Sequence, residues 1–481
     1  MKLKALFIIS VCLGCLWSLS AFAQVPDSLW TRYYGGSNDQ ICYGVSEALD
    51  QGLILAGDSR GDTTSFAVLV KTNSQGFPLW MRNYGRHHQA TGVVALSGGG
   101  YMTGGVSSLN GSDDFWMMRV NADGDSMWSR TFGGAEADYS RRILQTSDGS
   151  FILAGSTGSF GAGQSDAWLV KTDANGGGLW SRTYGSGGTD GCYSIAQTTD
   201  GGFILGGVTD SLGTWGEADA LLVKTNSLGD TAWIRTFGGQ YGDFFYSVQQ
   251  ASDGGYIAAG AITPSLGEPY DFFVVKTDAN GNGMWTRTFG AAGDDECSEV
   301  RVLQDGGFIL SGPTGSYGVH GYGTLIVRTN AFGDTLWTRV LRPDTTGYPF
   351  CGTLVSDGGY VMAGGELSSN GDANMMAMKL GAIPLAASDN FVLQPSSFTL
   401  SAYPNPFNPS TAIRFSLSRD DAVKLRVYDV NGRLVQTLLE RTMPAGEHRI
   451  MFEAGNLPSG MYIARLENSA VSKSEKLMLV K

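Results

Sequence analysis

Histidine is scarce in this chain, four in 481 residues, and proline is sparse, at 14. The histidines, His87, His88, His320 and His448, leave little for acid–base catalysis or for zinc. The adjacent pair His87-His88 has no carboxylate or cysteine at ligand spacing. So few prolines beside 69 glycines argue against a disordered Pro-rich chain and for many short strands joined by tight turns. Beyond residue 23 no run approaches the roughly 18 uninterrupted apolar residues that a spanning helix needs. A basic surface is missing too. Residues 24–388 carry 20 Lys plus Arg against 36 Asp plus Glu, a balance of −16, while residues 389–481 carry 11 against 9, or +2. An acidic main region argues against nucleic acid or an anionic membrane as partner.

The first 23 residues read as a secretory signal, with Lys2 and Lys4 as its charged start, "ALFIISVCLGCLWSL" as its apolar middle and Ala21-Phe22-Ala23 as its cleavage site. A mature chain starting near Gln24, outside the cytoplasm, is expected. A lipoprotein start at Cys15 is the minor alternative, because Cys12 stands where a large aliphatic is usual.

What is abundant is repetition. Trp30, Trp80, Trp128, Trp180, Trp233, Trp285 and Trp337 recur every 48 to 53 residues, a period in the range of propeller blades. Each period contains four short apolar segments. Two flank a Gly-rich turn, as in "TTDGGFILGG"; the third is a run such as "DFFVVKT"; the fourth is the Trp segment. The third runs are apolar on both faces, which predicts sheets buried on both sides. Trp segments and strand triplets each occur seven times, but the chain opens with an unpaired Trp segment, "LWTRYYGG", and the repeats close with an unpaired triplet ending at Lys379. The two leftovers complete one blade. The spacing therefore predicts an all-β chain: a seven-bladed β-propeller of four-stranded antiparallel blades over residues 24–380, closed by its N-terminal strand, which removes an exposed sheet edge. An outer-membrane barrel is the rival; its longer, lipid-facing alternating strands do not match these segments.

Each Trp is followed two positions later by Arg: Arg32, Arg82, Arg130, Arg182, Arg235, Arg287 and Arg339. Positions i and i+2 of a strand share a face, so the pair reads as blade packing, with the Arg stacked on an aromatic or paired with Asp114, Asp166, Asp219 or Asp271. Function is expected where copies differ, in the connections from second to third strand and from blade to blade, which share one face of the ring. That face offers Phe160, Trp215, Glu217, Tyr241, Asp243, Tyr270, Asp294, Asp295, Tyr317, His320 and Tyr322 as candidate ligand-binding residues. Aromatics beside carboxylates suit a sugar or a peptide. Asp138 and Asp190 belong to the same blade-to-blade connections.

No catalytic set is found. "GDSRG" at 57–61 matches a nucleophile-elbow pattern, but in a strand-to-strand loop rather than a strand-to-helix turn. "NADGD" at 121 and "DANGN" at 278 carry oxygens that calcium would take, but coincide with required hairpin turns. No cofactor is expected, with calcium the one ion to test. Beyond the signal remain Cys42, Cys192, Cys297 and Cys351, read as one repeat position just before a first strand. Buried thiols are expected, with Cys42 to Cys351, in neighbouring blades, as the candidate bridge.

Past Lys379 the period stops. Residues 381–400 read as linker, and 401–481 as a small all-β unit of about seven strands. Tyr403-Pro404-Asn405-Pro406-Phe407, Tyr428-Asp429 with Asn431-Gly432, and Ser459-Gly460-Met461-Tyr462 resemble the type A C-terminal sorting domain of the type IX secretion system. That resemblance implies an immunoglobulin-like sandwich that directs cargo through the type IX machinery to the cell surface or the medium. The combined expectation is a secreted, monomeric binding module for glycan or protein rather than an enzyme. The alternatives are a polysaccharide- or peptide-degrading enzyme using loop carboxylates such as Asp294, Asp295 or Glu217, and a purely structural envelope protein.

Overall fold

Runs such as Leu221-Leu222-Val223 and Phe272 to Val275 have every residue buried, because a strand sandwiched between two neighbouring sheets has no wet face. A computed structural model describes residues 25–384 and 399–480, apart from short stretches at 37, 62–63, 110, 213–217, 318–321, 342–345, 368–372, 404, 418–420, 431, 444–445 and 469–471. The proposed signal and most of the proposed linker lie outside it. The chain divides into two compact units between residues 387 and 388.

The first unit contains seven four-stranded antiparallel sheets. In blade 1 the strands, called a to d from the axis outward, are Asp39–Glu47, Leu53–Arg60, Ser65–Thr72 and Pro78–Arg86. Blades 2 to 6 repeat this order up to Leu341. Blade 7 takes strands a to c from Thr346–Leu354, Tyr360–Leu367 and Ala373–Leu380, and strand d from Ser28–Tyr34. Trp30 lies opposite Lys379 and Tyr33 opposite Met376. Neighbouring a strands touch all round, blade 1 against blade 7 included, so the ring is closed as the repeat arithmetic requires. The strands belong to separate sheets and not to one barrel wall.

The outer strands show what the repeated Trp and Arg do. The indoles of Trp30, Trp80, Trp128, Trp180, Trp233 and Trp285 lie against Gly76, Gly124, Gly176, Gly229, Gly281 and Gly333 in the c–d hairpin of the next blade, where any Cβ would meet the ring. These glycines have φ between 77 and 86°, so the turn and the close approach both demand glycine. Five of the guanidinium groups sit 5.4 to 5.9 Å from the indole two residues before them. The expected pairing with Asp114, Asp166, Asp219 or Asp271 is not what forms. Arg82, Arg182 and Arg287 instead face Asp125, Asp230 and Asp334, at 3.8, 3.4 and 3.7 Å. Strand d and the next c–d hairpin lie at the circumference, whereas the first four aspartates open strand c at the loop-bearing end. At the seam no hairpin exists. There Gly381 N–H donates to Asp27 O at 2.9 Å, and Arg339 donates to Pro26 O.

The basic residue ending each strand c is also structural. Lys71, Lys171, Lys224 and Lys276 are mostly buried and reach Asp50, Asp148, Asp200 and Asp253 of the a–b turn at 2.7 to 2.9 Å. Blade 2 has Gly98 where the others have this aspartate; there Arg119 donates to the carbonyls of Gly99 and Tyr101.

The second unit pairs a three-stranded sheet (Thr399–Tyr403, Ser410–Leu417, Gly446–Glu453) with a four-stranded one (Leu434–Met443, Asp421–Asp429, Gly460–Glu467, Ser472–Leu479). Phe415, Phe452, Leu425, Leu466 and Leu477 fill the core between them. This is the seven-stranded sandwich that the tail's resemblance implies. Asn405 Oδ1 accepts from Met478 N–H at 2.7 Å, and Phe407 exchanges main-chain hydrogen bonds with Met478 and Val480, so Asn405 and Phe407 are tied to the last strand. Gly432 has φ +79°, as a tight hairpin needs, and the Tyr462 hydroxyl donates to Pro458 O at 2.9 Å. Pro404 and Asn431 fall outside the described residues.

Candidate functional site: an axial pocket

Strand a lines the centre of the ring, and in six blades its register slips by one residue against strand b. The residues skipped are Tyr43, Thr91, Arg141, Tyr193, Tyr246 and Phe350; Ser298 holds the matching place in blade 6, where strand a starts only at Glu299. The bulge has a sequence cause. Gly57, Gly105, Gly155, Gly207, Gly260, Gly312 and Gly364 of strand b each face the carbonyl of the residue two positions before the ring residue, and a Cβ at any of them would overlap that oxygen. The glycines thus allow the six bulges, each of which re-aims one side chain toward the axis, and Ser298 joins them from just ahead of strand a in blade 6.

Tyr43, Thr91, Arg141, Tyr193, Tyr246, Ser298 and Phe350, with Glu296, Pro313 and Arg142, line one pocket of about 290 Å³. Strand a runs from the loop-bearing face toward the a–b turns, so this pocket occupies the loop-face half of the axis. Its walls are aromatic. Tyr43 lies 5.7 Å from Phe350 and Tyr193 5.6 Å from Tyr246, ring centre to ring centre. Arg141 sits 5.7 Å from the Tyr193 ring. Burial and the neighbouring Asp294 push the Glu296 carboxyl up, while a hydrogen bond with the Tyr246 hydroxyl opposes them. Tyr43 is pushed up to about 12, by burial first and then by Asp58. Phenols here stay neutral; the Tyr43 hydroxyl oxygen accepts from Arg60 Nη2 at 3.1 Å.

Charges floor the pocket. Arg142 of blade 3 reaches Glu299 of blade 6 at 3.6 Å, and Arg301 meets the same carboxylate at 3.4 Å. Ser247 donates to Glu299 at 2.7 Å and Arg142 to Tyr43 O at 3.3 Å. A buried ion pair of this kind adds little net stability, but it fixes positions across the axis. Below it lies a second cavity of about 370 Å³.

The residues expected from the loops divide into several groups. Tyr270, Asp294 and Tyr322 meet beside the pocket: Asp294 accepts from Tyr270 N–H at 3.2 Å and from the Tyr322 hydroxyl at 3.4 Å. Tyr322 and Tyr348, then Tyr348 and Phe350, continue the aromatic path inward, at 4.7 and 6.4 Å. Asp243 and Asp295 are fully buried and hold the chain. Each accepts from the N–H four residues earlier, Gly239 at 2.6 Å and Ala291 at 3.0 Å, as Asp138 and Asp190 do from Gly134 and Ser186. Tyr317 donates to Gly290 O. Phe160 lies away from the axis, 5.3 Å from Trp168, and Tyr241 is half-buried in its loop. Trp215, Glu217 and His320 lie outside the described residues.

Loop variability hid the ring itself. Its seven members recur at the same 48 to 53 residue spacing as the tryptophans, inside a segment otherwise uniform enough to pass for framework. Ser59 of "GDSRG" lies buried within strand b, not in a loop, and accepts from Gln40 at 3.3 Å. Cys351 is also misplaced by the repeat alignment. Cys42 and Cys192 stand inside strand a and Cys297 just before it, each directly ahead of the ring residue, whereas Cys351 follows Phe350. Among the described residues no cluster of three or more His, Cys, Asp or Glu is placed to hold a metal ion.

Fold and site together define a closed seven-bladed propeller with an axial pocket, joined in sequence to a β-sandwich. Residues 401–481 match the secretion system C-terminal sorting domain. The tail implies export through type IX secretion to the cell surface or extracellular space, and with it contact with that machinery. No described helix is long and apolar enough to cross a membrane. No curated protein shows significant similarity to the chain. Solved structures similar to it include a protein of unknown function from Bacteroides caccae, 11% identical, covering 63% of this chain and 94% of its own, with a TM-score of 0.37. A fungal alcohol oxidase in complex with copper is 12% identical over 95% of this chain and 100% of its own, with a TM-score of 0.44. Sqt1 from Chaetomium thermophilum is 12% identical over 74% and 99%, with a TM-score of 0.42.

Proposed function

We propose that the exported propeller is a binding module that seats a glycan end in its axial pocket. The observation that carries this reading is the ring of bulge residues. Tyr43, Tyr193, Tyr246 and Phe350 offer apolar ring faces on which a pyranose can stack. Glu296, Arg141, Thr91 and Ser298 stand between them to exchange hydrogen bonds with hydroxyls. About 290 Å³ is at the small end for a ligand pocket, enough for one sugar ring. Tyr270, Asp294 and Tyr322 would contact the next unit. Binding is favoured over hydrolysis because Asp294 and Glu296 stand two residues apart on one wall, whereas glycosidases hold their two acids on opposite sides of the bond.

The test is a glycan and peptide array with the purified chain, with and without calcium, followed by titration calorimetry. Tyr193→Ala and Tyr246→Ala should each weaken the best hit about tenfold or more, while Phe160→Ala leaves it unchanged. An array hit that survives both tyrosine changes removes the pocket as the site. Binding of peptides alone would replace the glycan by a protein partner.

A further inference from the structure

Two of the four buried thiols meet where the ring is joined. Cys42 is in strand a of blade 1 and Cys351 in strand a of blade 7, neighbours on either side of the seam. Both belong to one buried apolar cluster with Trp30, Leu55, Val361 and Met375. The neighbouring Cys42 thiol, and then burial, push the Cys351 thiol up.

Why only this pair meets follows from the two-residue offset. A cysteine directly ahead of a ring residue has beside it, in the preceding blade, the residue directly after the ring residue. For Cys192 that neighbour is Arg142, and ahead of Cys297 the same position is Ser247. For Cys42 it is Cys351. All four thiols donate to main-chain carbonyls, Cys42 to Gly44 at 3.4 Å, Cys192 to Ser194 at 3.3 Å, Cys297 to Glu299 at 3.5 Å and Cys351 to Ala363 at 3.5 Å, so what sets the seam pair apart is the second thiol beside the first.

We propose that Cys42 and Cys351 form a disulfide in the exported protein, a covalent latch across the seam. The seam needs one more than any other blade junction. Elsewhere a c–d hairpin carries the chain into the outer strand, but blade 7 receives its outer strand from the far end of the repeat array. Each thiol gives up one hydrogen. The two protons and two electrons pass by thiol–disulfide exchange to a protein disulfide of the oxidising compartment that the chain crosses, which leaves as a dithiol. Because a buried, protonated thiol is inert, the bond forms before the seam shuts, and afterwards resists reductants that do not unfold the protein. The loop it closes is about 300 residues long, the range in which cross-links constrain the unfolded chain most.

The full chain, exported through an oxidising compartment and then denatured without reductant, should show two of its four thiols beyond the signal reacting with Ellman's reagent. A non-reducing peptide map should join the peptides containing Cys42 and Cys351. The melting temperature should fall by roughly 3 to 6 °C in protein refolded under reducing conditions and in Cys351→Ser. Should Cys351→Ser fail to fold, the thiol count and map on the unaltered chain decide. Four reactive thiols, or a link through Cys192 or Cys297, overturns the proposal.

Discussion

The outer and inner edges of the same seven blades obey opposite rules. At the outer edge the residue itself is repeated: Trp, then Arg, against a hairpin glycine, because each copy solves the same packing problem. At the inner edge the repeated residue is the strand b glycine, and what it aims at the axis changes from Tyr to Thr, Arg, Tyr, Tyr, Ser and Phe. Identity in all copies marks the fold; an invariant support under a varying side chain marks the surface that has been free to specialise. Breaking either edge should therefore damage different properties.

The largest effect is expected at the seam. Deleting residues 25–36 removes strand d of blade 7, uncovers the strand ending in Leu380 and strips the Trp30 indole from its cluster. Burying one Trp is worth up to about 4 to 6 kcal/mol, before the lost strand pairing is counted. The melting temperature should fall by more than about 10 °C in scanning calorimetry, with a broader transition. A deletion that leaves melting unchanged would mean that the ring is held without this strand.

Next come the strand b glycines. Gly260→Ala places a methyl on the Phe244 carbonyl, so the bulge at Tyr246 must flatten or the sheet must shift, at about 2 to 4 kcal/mol. Tyr246→Ala leaves that bulge intact and should cost less than about 1.5 kcal/mol while removing a pocket wall. Urea melts of the two variants, read beside ligand titration, separate support from cargo. Equal destabilisation would erase the distinction between the edges.

How much of this was legible before folding depends on which residues carry it. Blade number and closure could be counted from Trp30 to Trp337, because a Trp packed on the next blade's hairpin about every 50 residues is a constraint that composition cannot hide. The loop-bearing face followed from connection lengths, and Tyr270, Asp294 and Tyr322 do meet on it. The pocket was not legible, because a β-bulge reverses the side-chain alternation by which inward and outward residues are told apart. Tyr193 and Tyr246 thus sat in text that read as ordinary first strand. Asp243 and Asp295 misled for the converse reason: a carboxylate that ties down a loop's N–H groups has the same sequence context as one that offers itself to a ligand.

The same aspartates supply the smallest and most pH-specific expectation. At four successive junctions the aspartate opening strand c faces one at the start of the next strand a, or just before it in blade 6, as with Asp114 and Asp138 or Asp219 and Asp243. Burial pushes Asp243 up to about 6, against hydrogen bonds from Gly239 and Thr263 and with further help from Asp219. Asp219 is raised by burial, and among the described residues its Oδ2 has no hydrogen-bond partner. A carboxyl raised above its unfolded value of about 3.9 binds its proton more tightly when folded. Its stabilising contribution is complete below that value and is lost as pH rises through about 6. The a–b turn carboxylates act oppositely: the Thr146 hydroxyl and the Lys171 ammonium hold Asp148 low, so its contribution exists above the unfolded value and fades as pH falls through the folded one. Melting temperature followed by dye fluorescence from pH 4 to 8 should therefore peak at about 5 and decline toward 7.5. Asp219→Asn, which removes one charge and lets an amide donate to Asp243, should raise melting at pH 7.5 by roughly 1 to 2 °C and flatten that decline. An unchanged slope in this variant would show that the paired acids do not set the neutral-side limb.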